Sequence, residues 1–131
     1  MIVLDTHVWI WWVDGGARLT TAQQEAIAAE QQNGDIGISA ISCWEIALLT
    51  ARGRLQLRAD VLAWLRDELS YPGVRLLPLS PEVAVHANRL PEPFHRDPAD
   101  RILVATALEH VCPLVTSDAR ILAYPHVTTI H

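Results

Sequence analysis

The sequence IVLD at residues 2–5 is a run of three strand-forming apolar residues that ends in a carboxylate. A similar stretch, LVTSD, occurs at residues 114–118. Between them, short apolar runs alternate with helical patterns in the order β-α-α-β-α-α-β-α-α-β-α-β. This alternation predicts an α/β protein with three α/β/α layers around a central, mainly parallel sheet of four or five strands.

The starts of the predicted helices are marked by residues that commonly cap helix N-termini. Thr20 is expected to cap a helix that ends before Gly34, and Asp60 and Ser80 to cap two later ones. Ser42 is predicted to begin the third helix, because Ser42-Cys43-Trp44-Glu45 fits the capping-box pattern. These boundaries leave no linker or repeat, and residues 1–131 are expected to form a single domain.

The composition favours a protein of a reducing compartment. Cys43 and Cys112 fit neither a redox motif nor a zinc pattern, and we expect them to be core thiols. The apolar stretch at residues 7–13, HVWIWWV, is too short to span a bilayer and follows Asp5 rather than a basic leader. A cytoplasmic protein without membrane contact is therefore expected.

The charge pattern restricts the chemistry. The net charge is −5, and all ten basic residues are Arg. The absence of Lys excludes mechanisms that need a Schiff base or a phosphate-binding Lys. It also argues against a phosphotransfer receiver or phosphatase with a nucleophilic Asp, because such a receiver needs a late Lys.

Four acidic residues lie at the junctions of strands and helices: Asp5, Glu45, Asp100 and Asp118. In a parallel sheet these junctions meet at the carboxyl edge, where open α/β folds place their sites. Carboxylates gathered a few ångströms apart cannot all stay ionised unless a cation neutralises them. Hard oxygen ligands without clustered Cys favour Mg²⁺, for which Mn²⁺ could substitute. The pattern predicts a metal-dependent phosphoryl-transfer enzyme.

Helix capping is the alternative explanation for each of these acids taken singly. Asp5 and Asp118 could cap the helices that follow them, Glu45 could complete the capping box, and Asp97 and Asp100 could occupy the first turn of one helix. His95 and Asp97 could form a metal-binding pair, but the six His residues are scattered and most are expected to be structural or solvated. Four acids at four junctions of one sheet edge are hard to explain by capping alone.

Taken together, the motifs resemble those of PIN-domain ribonucleases of the VapC toxin type. The matching segments are LDTHVWIWW, ISAISCWEIALL, HRDPADRILVATAL and LVTSDARI. The resemblance covers essentially the whole length. It implies a Mg²⁺-dependent endoribonuclease that is a cytoplasmic homodimer and a toxin neutralised by a cognate antitoxin.

The resemblance also implies roles for individual residues. Asp5, Glu45, Asp100 and Asp118 would form the catalytic and metal-binding pocket, and Asp97 would be a cap or an outer acid. Thr6 and Thr116 would orient ligands or water. Asp5 and Asp100 are assigned as metal ligands, Asp118 as a ligand or water-orienting group, and Glu45 as a ligand or general base.

The reaction expected at such a pocket is in-line attack of a water on a phosphodiester, assisted by one or two metal ions. No covalent intermediate is required, and the resemblance implies products with a 5′-phosphate and a 3′-hydroxyl. A non-catalytic RNA-binding or partner-binding module with the same fold is the alternative. Four intact acids argue against it.

Overall fold

The computed structural model describes residues 1–131, in which five strands and seven helices follow the predicted order. The strands are Ile2–Leu4 (β1), Ile36–Ser39 (β2), Val74–Leu77 (β3), Leu114–Val115 (β4) and Thr129–Ile130 (β5). The helices are Thr6–Val13 (α1), Thr21–Asn33 (α2), Ala40–Ala51 (α3), Val61–Leu69 (α4), Pro81–Ala87 (α5), Pro98–Glu109 (α6) and Ala119–Leu122 (α7). None of these helices combines the length and apolar character needed to span a bilayer.

The five strands form one sheet in the order β3-β2-β1-β4-β5, and every neighbouring pair is parallel. The central strand β1 pairs on one side with β2, where Val3 lies opposite Gly37, and on the other with β4, where Val3 lies opposite Leu114. All three residues of β1 are buried. Because both faces are covered, the strand is apolar throughout rather than alternating. The predicted α/β/α architecture is confirmed.

The sheet separates two apolar cores. Ile2 and Leu4 of β1 face a cluster that includes side chains from α1 to α4, whereas Val3 faces a cluster built mainly on α6 and α7. This division follows from the alternation of side chains along a strand. The first core contains Val8, Trp9, Ile27, Ile46 and Trp64, and the second contains Leu103, Val104, Ile121 and Tyr124.

Most of the predicted helix caps are present, but the one at Ser42 is wrong. The side chains of Thr20, Asp60, Ser80 and Asp97 accept hydrogen bonds from the first turns of their helices. Helix α3 begins three residues earlier than predicted, and Ser39 is its N-cap. Strand β2 runs directly into α3, so the residue that ends the strand is also the one that caps the helix.

This direct passage from strand to helix determines where functional groups can lie. Only Asp5 separates β1 from α1, and α3 follows β2 without an intervening residue. Strands β1, β2 and β4 are parallel neighbours, so their carboxyl ends lie at one edge. Residues immediately after these strands are therefore brought together.

Candidate active site

Asp5 lies at the centre of the carboxyl edge and is held by four hydrogen bonds. Its backbone N–H donates to the Val115 carbonyl at 2.9 Å, which continues the ladder between β1 and β4, and its backbone carbonyl accepts from the Trp9 N–H of α1 at 3.0 Å. Its Oδ1 accepts from the Thr6 N–H at 2.7 Å, and its Oδ2 accepts from the Thr116 hydroxyl at 2.7 Å. Asp5 is thus both the N-cap of α1 and a fixed, buried carboxylate.

Thr6 connects α1 to Glu45 on α3. Its Oγ1 lies 2.6 Å from Glu45 Oε1 and 2.8 Å from Ser42 Oγ. A hydroxyl carries one proton, which an ionised Glu45 accepts from Thr6 while Ser42 donates to the Thr6 oxygen. Glu45 lies in the second turn of α3, beyond the reach of a capping interaction with Ser39. Its predicted place in a capping box is therefore wrong, and its carboxylate points toward the site.

Asp100 enters the same region from the first turn of α6 and is 7% exposed. Its Oδ2 lies 2.6 Å from Nε2 of His95, which precedes the helix. The same oxygen is 3.7 Å from Nη2 of Arg120. His95 therefore fixes the orientation of a carboxylate that has little contact with solvent.

Asp97 and Asp118 are also helix caps, but unlike Asp5 they are not buried. Asp97 is exposed, and its Oδ1 accepts from the Ala99 N–H at 3.0 Å. Asp118 caps α7 through the Arg120 N–H at 2.8 Å, and its own N–H donates to the Thr116 hydroxyl at 3.0 Å. Thr116 therefore joins Asp118 to Asp5.

The ionisation of the acids shows that they share one environment. Burial, against the lowering effect of the hydrogen bond from Thr6 and together with the negative charges of Asp5, Asp100 and Asp97, raises the pKa of Glu45 to about 7. Burial also raises the pKa of Asp5 and Asp100, against the opposing effects of their hydrogen bonds to Thr116 and His95. Asp118 adds to the pKa rise of both. Asp5 and Asp100 thus lie within electrostatic range of both Glu45 and Asp118.

Buried carboxylates of this kind are suited to a cation. A carboxylate that loses hydration needs a compensating positive charge or a proton, and divalent ions with hard oxygen ligands supply the charge. One ligand atom each of His95, Asp97 and Asp100 lie within 4.8 Å of one another, which makes them a possible metal-binding group. This group overlaps the predicted pocket only at Asp100. Asp5 and Asp100 are both buried, whereas Asp97 is exposed and already caps α6.

Three polar residues other than the predicted acids and threonines contact the site, and only His95 among them had been considered a site residue from the sequence, as a metal-binding partner of Asp97. His95 holds Asp100, Ser42 contacts Thr6, and Gln23 on α2 donates from Nε2 to the Thr116 carbonyl at 3.3 Å. Gln23 is fully buried. Gln23 completes the capping box of α2 with Thr20, and nothing in the sequence indicated that its side chain also reaches the residue after β4. For His95, its nearness to Asp97 and Asp100 in sequence was a usable signal.

Comparison with known proteins identifies the class. The sequence matches the PIN domain family over residues 2–127, and the chain belongs to that family. It is 39% identical over 125 residues to Ribonuclease VapC22 of Mycobacterium tuberculosis, an alignment that covers 95% of this chain and 92% of the relative. The family predicted from the motifs is confirmed.

Solved structures share the fold at low sequence identity. A Rickettsia felis VapBC2 complex bound to a promoter DNA fragment gives a TM-score of 0.71 at 16% identity, covering 98% of this chain and 97% of that one. FitAcB from Neisseria gonorrhoeae gives 0.68 at 23% identity, covering 100% and 97%. At these identities the likeness concerns the fold.

Proposed function

We propose that this protein is a divalent-metal-dependent endoribonuclease that hydrolyses RNA phosphodiester bonds and acts as the toxin of a toxin–antitoxin pair. The observation that carries the proposal is the burial of Asp5 and Asp100 beside Glu45 at the carboxyl edge of the sheet. The 39% identity to a ribonuclease supports RNA as the substrate. We further propose that residues 1–131 function as a single PIN domain in the cytoplasm.

Mg²⁺ is the proposed metal, with Mn²⁺ as a substitute. Asp5 and Asp100 would hold it, and Glu45 and Asp118 would complete the acidic pocket. When bound, a divalent ion supplies Lewis-acid chemistry, since it polarises water and stabilises negative charge that develops on the phosphate. The absence of covalent nucleophile motifs fits direct attack by water.

The remaining roles follow from the hydrogen bonds of the chain. The Thr6 N–H and the Thr116 hydroxyl fix the two oxygens of Asp5, and the Thr6 hydroxyl fixes Oε1 of Glu45. Glu45 Oε2 makes no hydrogen bond within the protein and is free to accept a proton from an attacking water. A pKa of about 7 is close to the value that favours proton exchange at neutral pH. We therefore assign Glu45 as general base and Asp118 as the group that orients water.

The direct test is incubation of the purified protein with total RNA in Mg²⁺ or in EDTA, followed by mapping of the cut ends. We expect discrete fragments with 5′-phosphate and 3′-hydroxyl ends in Mg²⁺ alone. Asp5→Asn keeps the size of the side chain but removes its charge, and should abolish cleavage in a folded protein. Cleavage that persists in EDTA, or in the folded variant, would disprove the mechanism. RNA binding without any cleavage would favour a non-catalytic module.

An antitoxin and a second copy of the chain are the proposed protein partners. Support comes from solved neighbours with the same fold, which include VapBC from Salmonella typhimurium bound to DNA and a toxin–antitoxin complex from Klebsiella pneumoniae. Co-expression with the product of an adjacent small gene should suppress the RNA cleavage described above. Light scattering of the isolated protein should give the mass of a dimer.

A further inference from the structure

A groove beside the acidic pocket has no role in the chemistry described so far. It has a volume of about 560 Å³ and runs between α3 and the start of α6. Glu45 and Asp97 line the part nearest the pocket. The rest of its α3 wall consists of Ile41, Trp44, Leu48, Leu49 and Arg52.

The α3 residues of the groove form a single stripe. Each lies three or four residues from another member of the set, with Leu48 and Leu49 side by side, which places them on one broad face of the helix. Trp44 precedes Glu45 and is 57% exposed, although a Trp side chain is usually largely buried in a folded protein. The stripe begins at the acidic pocket and leads away from it.

Arg52 lies at the far end of this stripe. It is the C-cap residue of α3, is exposed, and is not among the arginines that form ion pairs with carboxylates. It follows Glu45 by seven residues, so their backbones are about 10 Å apart along the helix. A few nucleotides of a single strand span such a distance.

We infer that this groove is a subsite for single-stranded RNA, in which Trp44 stacks on a base next to the cleaved phosphate and Arg52 binds a phosphate further along the strand. The inference rests on the proposed nuclease function. An aromatic plane and an unpaired guanidinium in line with a phosphodiester-cleaving centre combine the two contacts that single-stranded nucleic acid uses, stacking and backbone charge. A paired double helix does not offer its base faces, so the subsite selects unpaired RNA.

The inference is tested by fluorescence anisotropy of a labelled RNA oligonucleotide, single-stranded or in a duplex, added to the protein in EDTA. Trp44→Ala should weaken single-strand binding by roughly 5- to 150-fold, the range for loss of one base stack, and Trp44→Phe should restore most of it. Arg52→Gln should weaken binding and lower the salt dependence by about one phosphate contact. Duplex binding should not respond to Trp44→Ala.

Tyr71→Ala is the matched control, because Tyr71 is also an exposed aromatic residue but precedes β3 at the opposite edge of the sheet. This variant should bind RNA like the wild type. Equal single-strand affinities of wild type and Trp44→Ala would overturn the subsite. The subsite would also be overturned if Trp44→Ala changed the oligomeric state but not the RNA affinity, because the Trp44 ring would then belong to a contact between two copies of the chain. Absence of any metal-dependent cleavage by the wild type would instead refute the proposed function itself.

Discussion

Replacement of Glu45 by Gln should make the metal-free protein less sensitive to pH. The pKa of Glu45 in the folded protein is raised from 4.5 to about 7, mainly by burial. The folded state therefore holds this proton more tightly than the unfolded state does. The stability due to Glu45 is fully present below about pH 4.5 and is lost as the pH rises through about 7. Gln keeps an oxygen that accepts from Thr6 but cannot ionise.

The size of the effect can be bounded from the same shift. A rise from 4.5 to about 7 is equivalent to at most about 3 kcal/mol of the free energy of unfolding. Glu45 is only partly buried, and solvent screening reduces this to the order of 1 kcal/mol. Burial also raises the pKa of Asp5 and Asp100. These two residues therefore lower the stability of the wild type and of Glu45→Gln alike as the pH rises, at lower pH than Glu45 does.

The assay is urea denaturation in EDTA at pH values from 5 to 8. The difference in unfolding free energy between Glu45→Gln and the wild type should grow with pH by about 1 kcal/mol. Saturating Mg²⁺ should remove most of the trend in the wild type. Glu25→Gln, at an exposed position of α2, is the control and should run parallel to the wild type. If the stability of Glu45→Gln also runs parallel to that of the wild type across this pH range, the site does not destabilise the ionised form of Glu45.

Three further results are expected. Asp100→Asn should abolish RNA cleavage, whereas Asp97→Asn should keep most activity, because Asn caps a helix about as well as Asp; equal loss of activity in the two folded variants would show that Asp97 also acts in the site. Mn²⁺ at about 100 times its Kd should add about 2.7 kcal/mol to the unfolding free energy, and an unchanged Tm at concentrations that support activity would exclude a preformed acidic pocket. Thr116→Val should lower the free energy of unfolding by about 1 to 3 kcal/mol, because the Asp118 N–H and Asp5 Oδ2 lose their partner. It should also weaken Mn²⁺ binding measured by calorimetry. An unaltered Mn²⁺ affinity would show that Thr116 does not support the site.

The fold could be predicted from sequence because its signals are local. Apolar runs that end in Asp or Ser mark both the end of a strand and the cap of a helix, as Asp5 does for β1 and α1. The misplaced start of α3 shows the limit of such signals. Ser39 and Ser42 are both good caps by residue type, and the choice between them depends on where pairing with β1 and β3 ends.

The candidate site could be predicted only in part. The acids at the junctions of strands and helices could be predicted, because a parallel sheet brings these positions to one edge regardless of how their side chains are oriented. The contacts that orient them come from residues far away in sequence, such as Thr116, which is 111 positions from Asp5. Gln23 and Ser42 look like ordinary helix residues in the sequence, and only the packing of α2 and α3 against the sheet reveals their contacts.

The position of β1 between β2 and β4 has a consequence for the order of biosynthesis. The first strand to leave the ribosome must wait for the fourth before its second edge is paired. Asp5 obtains its partners Val115 and Thr116 at the same moment, because they belong to that late segment. Domains gain their structure as synthesis proceeds, but this pocket cannot be completed until residues 114–118 have emerged. A nascent chain that has not yet released residues 114–118 therefore lacks a complete acidic pocket.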